Sequence, residues 1–173
     1  MKSLSDHLNQ YAAYHRNPWN IATHFVGIPL IVAAVAVLLS RPGFAVGGIS
    51  LSPATLVVAA SLAFYFLLDL AFGAVMLVLL GLALRFGGWA AAQPTDVWLA
   101  IGAGGFTVGW AFQFVGHYLE GRKPAFMDDL TALPVGPLFI VAETLFLLGL
   151  REELRCDIEK GVGPVRPWQR TAR

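Results

Sequence analysis

The sequence predicts an all-α protein, a polytopic transmembrane helical bundle of about four to five membrane helices with a short N-terminal interfacial helix. Composition is the first reason: the 173 residues are 57% hydrophobic and 13% charged, with a mean hydropathy of +0.65, whereas soluble domains average roughly 25% charged residues. The second reason is that uncharged stretches recur with the length needed to cross a ~30 Å hydrocarbon core. We therefore expect a single integral membrane domain over residues 1–173.

The rest of the composition excludes several classes of function. The formal net charge of +1 gives no electrostatic reason to expect nucleic acid as a partner. With Cys156 as its one cysteine, the chain has neither an intramolecular disulfide nor a CxxC site. The polar N-terminal region lacks the order of a cleaved signal peptide, so the first membrane helix is expected to remain attached. No nucleotide-binding or HExxH motif occurs in a suitable context.

Residues 1–20 are expected to form the interfacial helix and to contribute site residues. Leu4, Leu8 and Tyr11 recur at close to helical spacing. The helix is predicted to stop near Arg16, because the residue before Pro18 is pushed out of helical geometry.

Four apolar stretches predict membrane helices: residues 21–40, 53–70, 72–86 and 97–117. Residues 51–84 contain Asp69 as their one charge, and a single helix of that length, at ~1.5 Å per residue, would be about 51 Å long. We therefore predict a break near Asp69 to Gly73, giving two antiparallel crossings. Residues 41–53 and 87–96 are predicted loops, since glycine, proline and serine are frequent there.

The C-terminal third is predicted to contain a charged loop after Glu120, a fifth helix over residues 133–150 and a basic tail over residues 151–173. The fifth segment is expected to cross, tilt or dip into the bilayer, because Glu143 interrupts it. The tail holds six of the twelve Lys and Arg residues, which favours the cytoplasmic side. The N-terminal region weakly favours the same side, so five full crossings would conflict with this charge distribution.

All four histidines lie at predicted membrane boundaries: His7, His15, His24 and His117. Four crossings between His24 and His117 return the chain to the side it left, so the histidines are expected to meet. His117 and Glu120 are three residues apart and share a helix face, with Gln113 a turn earlier. Such a pair suits a divalent metal. The alternative is that His117 is an interfacial histidine and Glu120 a solvated charge.

A second polar cluster leads into the first membrane helix: Tyr11, Tyr14, His15, Asn17, Asn20 and His24. An interfacial anchor would explain the tyrosines. It explains Asn20 and His24 poorly, because polar groups at the mouth of a span cost free energy unless they are paired. Asp69 is expected to cap a helix rather than to act as a proton relay. Glu143 is expected either to support the site or to end a helix. Of the four histidines, His7 is the least favoured as a metal ligand.

The strings YAAYHRNPWNIATHFVGIP at residues 11–29 and QFVGHYLEGRKPA at residues 113–125 resemble the membrane-bound 2-hydroxy fatty acid dioxygenases, which act in alpha-oxidation during phytosphingosine breakdown. The family pattern falls on a set of residues in the first block: Tyr11, Tyr14, His15, Asn20, His24 and Pro29. His117 and Glu120 match the second block. In some eukaryotic members the glutamate follows the histidine by four residues, whereas here it follows by three.

The resemblance implies an Fe2+ enzyme that converts a 2-hydroxy fatty acid and O2 to CO2 and the fatty acid one carbon shorter. The metal ligands are expected to be His15, His24, His117 and Glu120. The catalytic residues are expected to be Tyr11, Tyr14, Asn20 and Gln113. Membrane lipid would surround the protein, in a bacterial inner membrane or the endoplasmic reticulum. A histidine-ligated di-iron lipid hydroxylase is the nearest rival, although four histidines are few for one; a non-catalytic scaffold or small transporter is the alternative from another class.

Overall fold

The computed structural model describes residues 2–168, and most of these are helical, which confirms the all-α class. The helices in chain order are α1 (Leu4–Ala12), α2 (Pro18–Ser40), α3 (Pro53–Leu68), α4 (Leu70–Ala91), α5 (Thr95–Leu99), α6 (Gly105–Glu120), α7 (Ala132–Leu147) and α8 (Glu152–Val162). A π-helical segment, Ala100–Gly104, joins α5 to α6, and a 3-10 turn, Ala125–Met127, precedes α7.

Three helical segments within residues 2–168 are long and apolar enough to cross a membrane: α2, α4 and the continuous segment Thr95–Glu120. The pair α7 and α8 is bent by 114° and makes a fourth if it counts as one broken span. The described part of the chain therefore has three to four candidate membrane helices, and this range overlaps the expected four to five at four. With 16 residues, α3 is about 24 Å long at ~1.5 Å per residue. These apolar helices fit a membrane protein.

The predicted break in residues 51–84 occurs at Asp69, as expected. Asp69 has extended backbone angles, φ −163° and ψ 130°, so it cannot continue α3 into α4. Its carboxylate accepts hydrogen bonds from the backbone N–H groups of Ala71 and Phe72, which caps α4. α3 and α4 pack against each other, and the ring of Phe66 lies where a side chain at Gly73 would project.

The loop expected over residues 41–53 instead contains a short antiparallel hairpin of β1 (Phe44–Val46) and β2 (Ile49–Leu51). Its two-residue turn is formed by Gly47 and Gly48, both with positive φ. Turns of this kind match the twist of a hairpin and require residues that tolerate positive φ.

Three other boundaries differ from the sequence expectation. α1 ends at Ala12, one turn earlier than predicted, because the chain turns there before Pro18. α4 extends to Ala91 through part of the expected loop over residues 87–96, where Gly87 packs closely on the backbone of Ala36. The expected basic tail contains α8, which buries Ile158; residues 169–173 of that tail lie outside the described part.

The described residues form two compact units: residues up to Ile28 together with those from Ala111 onward, and Pro29–Trp110. In the first unit, α1 packs against α7 and α8. This unit contains every residue expected to form the site. The expectation of a single membrane domain stays a prediction.

Candidate metal centre

His15, His24 and His117 lie side by side. The ring centroids are 4.5 Å apart for His15 and His24, 4.9 Å for His15 and His117, and 5.0 Å for His24 and His117. One ring nitrogen from each lies within 4.8 Å of the other two, a spacing that could hold a metal ion. The expected proximity of these three histidines is confirmed.

Each histidine lies on a different segment of the first unit. His15 lies in the connection after α1, where its backbone N–H donates to Ala12 O at 2.9 Å. His24 lies two turns into α2, and His117 in the last turn of α6. His15 and His24 are completely buried, and His117 is nearly so.

The hydrogen bonds of His15 and His24 fix their tautomers. His15 Nδ1 lies 2.7 Å from Tyr11 O, and His24 Nδ1 lies 2.8 Å from Asn20 O. Because a carbonyl oxygen only accepts, Nδ1 carries the proton in both rings. Burial, followed by the neighbouring His24, lowers the pKa of the His15 imidazole well below its ordinary value, so this ring is neutral. A neutral imidazole is the form that binds metals.

The two Nε2 atoms therefore carry lone pairs and face each other at 3.0 Å. With both rings neutral, neither Nε2 has a proton to share, and the contact is repulsive unless a cation lies between the two atoms. Two nitrogen ligands about 2.1 Å from one metal, at about a right angle, would be about 3.0 Å apart. The donor set and its spacing thus fit a metal ion.

Aromatic rings hold His15 in place. The Tyr11 ring stacks on the His15 ring with centroids 4.2 Å apart and planes 3° from parallel. Phe139 of α7 is tilted against both rings, at 5.0 Å from Tyr11 and 5.4 Å from His15. These apolar faces keep water from that side of the histidine group and restrict the orientation of the His15 ring.

Glu120 is buried and lies outside the three-histidine group. Its Oε2 accepts hydrogen bonds from Arg16 N at 3.1 Å, Asn17 N at 2.7 Å and Asn20 Nδ2 at 3.1 Å. Its Oε1 lies 3.2 Å from Arg166 Nη2. The carboxylate of α6 therefore holds the connection that carries His15 and the first turn of α2. A freely solvated Glu120, the alternative considered from sequence, is not what the structure shows.

Two polar atoms in this region are buried without a hydrogen-bond partner among the described residues: Asn20 Oδ1 and Gln113 Nε2. Gln113 lies one turn before His117 on α6. Buried polar atoms are seldom left unpaired in native proteins. Their presence beside the histidines is typical of a site that binds a polar ligand.

Tyr14 and His7 are directed elsewhere. The hydroxyl group of Tyr14 donates to Asp128 Oδ2 at 2.7 Å, and the Arg122 guanidinium lies over its ring. Tyr14 thus connects the end of α1 to the segment before α7. His7 is buried on α1 and does not belong to the three-histidine group.

Gly116 is a site residue that the sequence reasoning missed. A methyl group at this position would collide with Thr23 Oγ1 and Asn20 Oδ1 and would lie 3.2 Å from His24 Nδ1. The absence of a side chain lets α6 approach α2 closely enough for the histidines to meet. The signal was available, because small residues in membrane helices mark close helix packing.

Comparison with known proteins identifies the family. The family model described as 2-hydroxy-palmitic acid dioxygenase Mpo1-like matches residues 1–148. The chain is 38% identical over 161 residues to the 2-hydroxy-palmitic acid dioxygenase MPO1 of Saccharomyces cerevisiae, and the match covers 90% of this chain and 87% of the yeast protein. The chain belongs to the Mpo1-like family. No solved structure matches this Mpo1-like chain.

Proposed function

We propose that this Mpo1-like protein is an iron-dependent 2-hydroxy fatty acid dioxygenase. It converts a 2-hydroxy fatty acid and O2 to the fatty acid one carbon shorter and CO2, a step of alpha-oxidation. The observation that carries the proposal is the pair of Nε2 atoms 3.0 Å apart in a buried group of three histidines, with the Nδ1 atoms of both rings bonded to backbone carbonyl groups. The name of the yeast relative supports the reaction type.

His15, His24 and His117 would hold Fe2+. Imidazole nitrogens suit ferrous iron, and three protein ligands leave coordination positions open for other molecules. Bound Fe2+ would supply the redox chemistry that lets O2 react with the hydroxy acid. Glu120 would act through the histidines by positioning them, because its carboxylate is occupied by N–H donors.

The reaction balances without a reductant. The carbon that bears the hydroxyl group becomes a carboxylic acid, the old carboxyl group leaves as CO2, and water is the third product. The acid gives up four electrons and O2 accepts four. A 2-hydroxy fatty acid and O2 are therefore sufficient as substrates, and no nucleotide cofactor is needed.

The polar residues near the histidines suit the head of such a substrate. Gln113 Nε2 is a free donor for a carboxylate or hydroxyl oxygen, and Asn20 Oδ1 is a free acceptor for a hydroxyl group, within the described residues. Tyr11 and Phe139 would exclude water from one side of the site. Tyr14 would support catalysis by fixing the segment around Asp128. The membrane is proposed to be a bacterial inner membrane or the endoplasmic reticulum.

Iron analysis and turnover of the detergent-purified protein test this proposal. We expect bound iron and conversion of 2-hydroxyhexadecanoic acid in the wild type. His24→Ala and His117→Ala should lose both, because each removes a ligand of the metal. His7→Ala is the matched control, a buried histidine outside the group, and should retain both.

A wild type that binds no iron and leaves the hydroxy acid intact would contradict the proposal. If His117→Ala then behaved like the wild type, the scaffold or transporter interpretation would replace it.

A further inference from the structure

A cavity of about 500 Å³ lies in the first unit, apart from the three histidines. Its walls come from the first two turns of α2, the end of α7, α8 and the segment that follows it. Apolar residues form most of the surface, among them Ile21, Ala22, Phe25, Phe146, Leu147 and Trp168. The volume falls within the roughly 300–1,000 Å³ of small-molecule sites.

The guanidinium group of Arg16, in the wall of this cavity, has one nitrogen atom without a hydrogen bond within residues 2–168. The Arg16 side chain is buried, with 7% of the residue exposed. Its Nε donates to Ala12 O and His15 O, and its Nη1 donates to Gly163 O at 2.9 Å. Its Nη2 makes no hydrogen bond to any described residue. A guanidinium group with one unused nitrogen is suited to a carboxylate.

Among the other charged groups of the cavity, Glu143 forms an ion pair with Arg16 Nη2 but accepts no hydrogen bond from it. Arg155 Nε donates to Glu159 Oε1 at 3.0 Å, so these two charges neutralise each other. Glu143 Oε1 lies 3.8 Å from Arg16 Nη2, which is beyond hydrogen-bond distance. An anion that reached Nη2 would gain a bond that Glu143 does not make.

We propose that this cavity binds the alkyl chain of a single-chain carboxylic acid, with the carboxylate accepting a hydrogen bond from Arg16 Nη2. The volume suits one chain, and one free guanidinium nitrogen suits one monoanionic head. Because Arg16 directly follows His15, the bound acid has its head next to the segment that carries a proposed metal ligand. The inference rests on the proposed function for the identity of the acid, the shortened fatty acid that the reaction releases.

Photo-cross-linking tests the cavity without requiring turnover. The probe is hexadecanoic acid with a diazirine on its chain; it lacks the 2-hydroxyl group and is not a substrate. Bound to the iron-loaded, detergent-purified protein, it should label residues 18–25 and 146–147. Hexadecanoic acid should compete for this labelling, and hexadecanol should compete less well. Labelling spread over the apolar helices, or equal competition by the alcohol, would overturn the proposal.

Ala22→Phe fills the cavity with a ring and leaves every proposed metal ligand in place. Labelling should fall about tenfold, which corresponds to ~1.4 kcal/mol of binding free energy. Ala60→Phe adds the same ring to an exposed position of α3 and should label like the wild type. Equal labelling of Ala22→Phe and the wild type, with iron content unchanged, would overturn the proposal.

Glu143→Gln tests the role of charge. The change removes the anion that lies 3.8 Å from Arg16 Nη2, so the probe acid should bind several-fold more tightly. Labelling by the corresponding diazirine alcohol should not change. Unchanged or weaker binding of the acid, in a variant that still binds iron, would contradict a carboxylate at Arg16.

The two proposals fail in different ways. If the cavity inference alone is wrong, the wild type still binds iron and turns over the hydroxy acid, but its labelling by the probe does not respond to Ala22→Phe. Loss of the proposed function leaves a protein without iron or turnover, in which the acid-specific labelling and its response to Ala22→Phe still support the cavity.

Discussion

Glu120 shows how one buried side chain organises the candidate site. Its Oε2 accepts hydrogen bonds from the backbone N–H groups of Arg16 and Asn17, the two residues after His15. It also accepts one from Asn20 Nδ2, while the carbonyl group of Asn20 fixes the tautomer of His24. The carboxylate therefore links α6, which carries His117, to the segments that carry the other two histidines.

Glu120→Gln should weaken iron binding about 10- to 100-fold, the usual effect of losing a group that orients metal ligands. An amide has one acceptor oxygen and a donor that would face N–H groups, so the segment around Asn17 would be less firmly held. Iron titration measures the affinity. Glu152→Gln changes an exposed glutamate and should bind iron like the wild type.

X-ray absorption separates positioning from direct coordination by Glu120. If Glu120 acts through the histidines, iron-saturated Glu120→Gln should show the same number of nitrogen and oxygen neighbours as the wild type. A lost oxygen neighbour would instead make Glu120 a ligand, as the resemblance to the dioxygenase family implies.

At the scale of elements, the close approach of α2 and α6 depends on Gly116. Gly116→Ala should destabilise the protein by about 1–3 kcal/mol, as overpacking of a close contact commonly does, and should reduce its iron content. The reason is the collision of the new methyl group with Thr23 and Asn20. Thermal unfolding and metal analysis check the two effects.

Gly105→Ala is the matched control for this prediction. It lies on the same helix, and its added methyl group would meet Ala34 Cβ at 3.5 Å, an ordinary contact distance. It should leave iron content unchanged. Similar losses in both variants would mean that the contact at Gly116 has no special part in assembling the site.

The hairpin of α3 and α4 makes a prediction about sidedness. Single cysteines in place of Gly43, Ala71 and Ala92, in a Cys156→Ser background, should divide into two groups. Positions 43 and 92 should react with a membrane-impermeant thiol reagent from one side, and position 71 from the other, because the chain reverses at Asp69. Labelling of all three positions from one side would mean that α3 and α4 do not cross.

For the molecule as a whole, the features that depend on local sequence patterns could be predicted from the sequence. The long apolar stretches predicted the membrane helices, and the isolated Asp69 predicted the break, since a carboxylate in an apolar run readily caps a helix. The histidines at the membrane boundaries predicted a group, since an even number of crossings returns the chain to one side. Their proximity is confirmed.

What the sequence did not reveal depends on contacts between distant segments. The hydrogen bonds of Glu120 join residues about a hundred positions apart, and no local pattern separates a metal ligand from a carboxylate that accepts N–H groups. The cavity beside Arg16 likewise requires α2, α7 and α8 to meet. The helix α8 was missed because its many charges were typical of a solvated tail.

The last prediction concerns the protein as an enzyme that needs no reductant. The reaction removes four electrons from the hydroxy acid and O2 accepts four, so the purified protein with Fe2+ should consume one O2 for each CO2 released, without NADPH or an electron carrier. Oxygen-electrode and trapped-CO2 measurements on 2-hydroxyhexadecanoic acid give this ratio. Chelation of the iron should abolish turnover, and added Fe2+ should restore it, because the proposed reaction depends on the metal. Hexadecanoic acid is the control substrate and should give neither O2 uptake nor CO2. A dependence on added reductant, or more O2 consumed than CO2 formed, would favour the hydroxylase alternative.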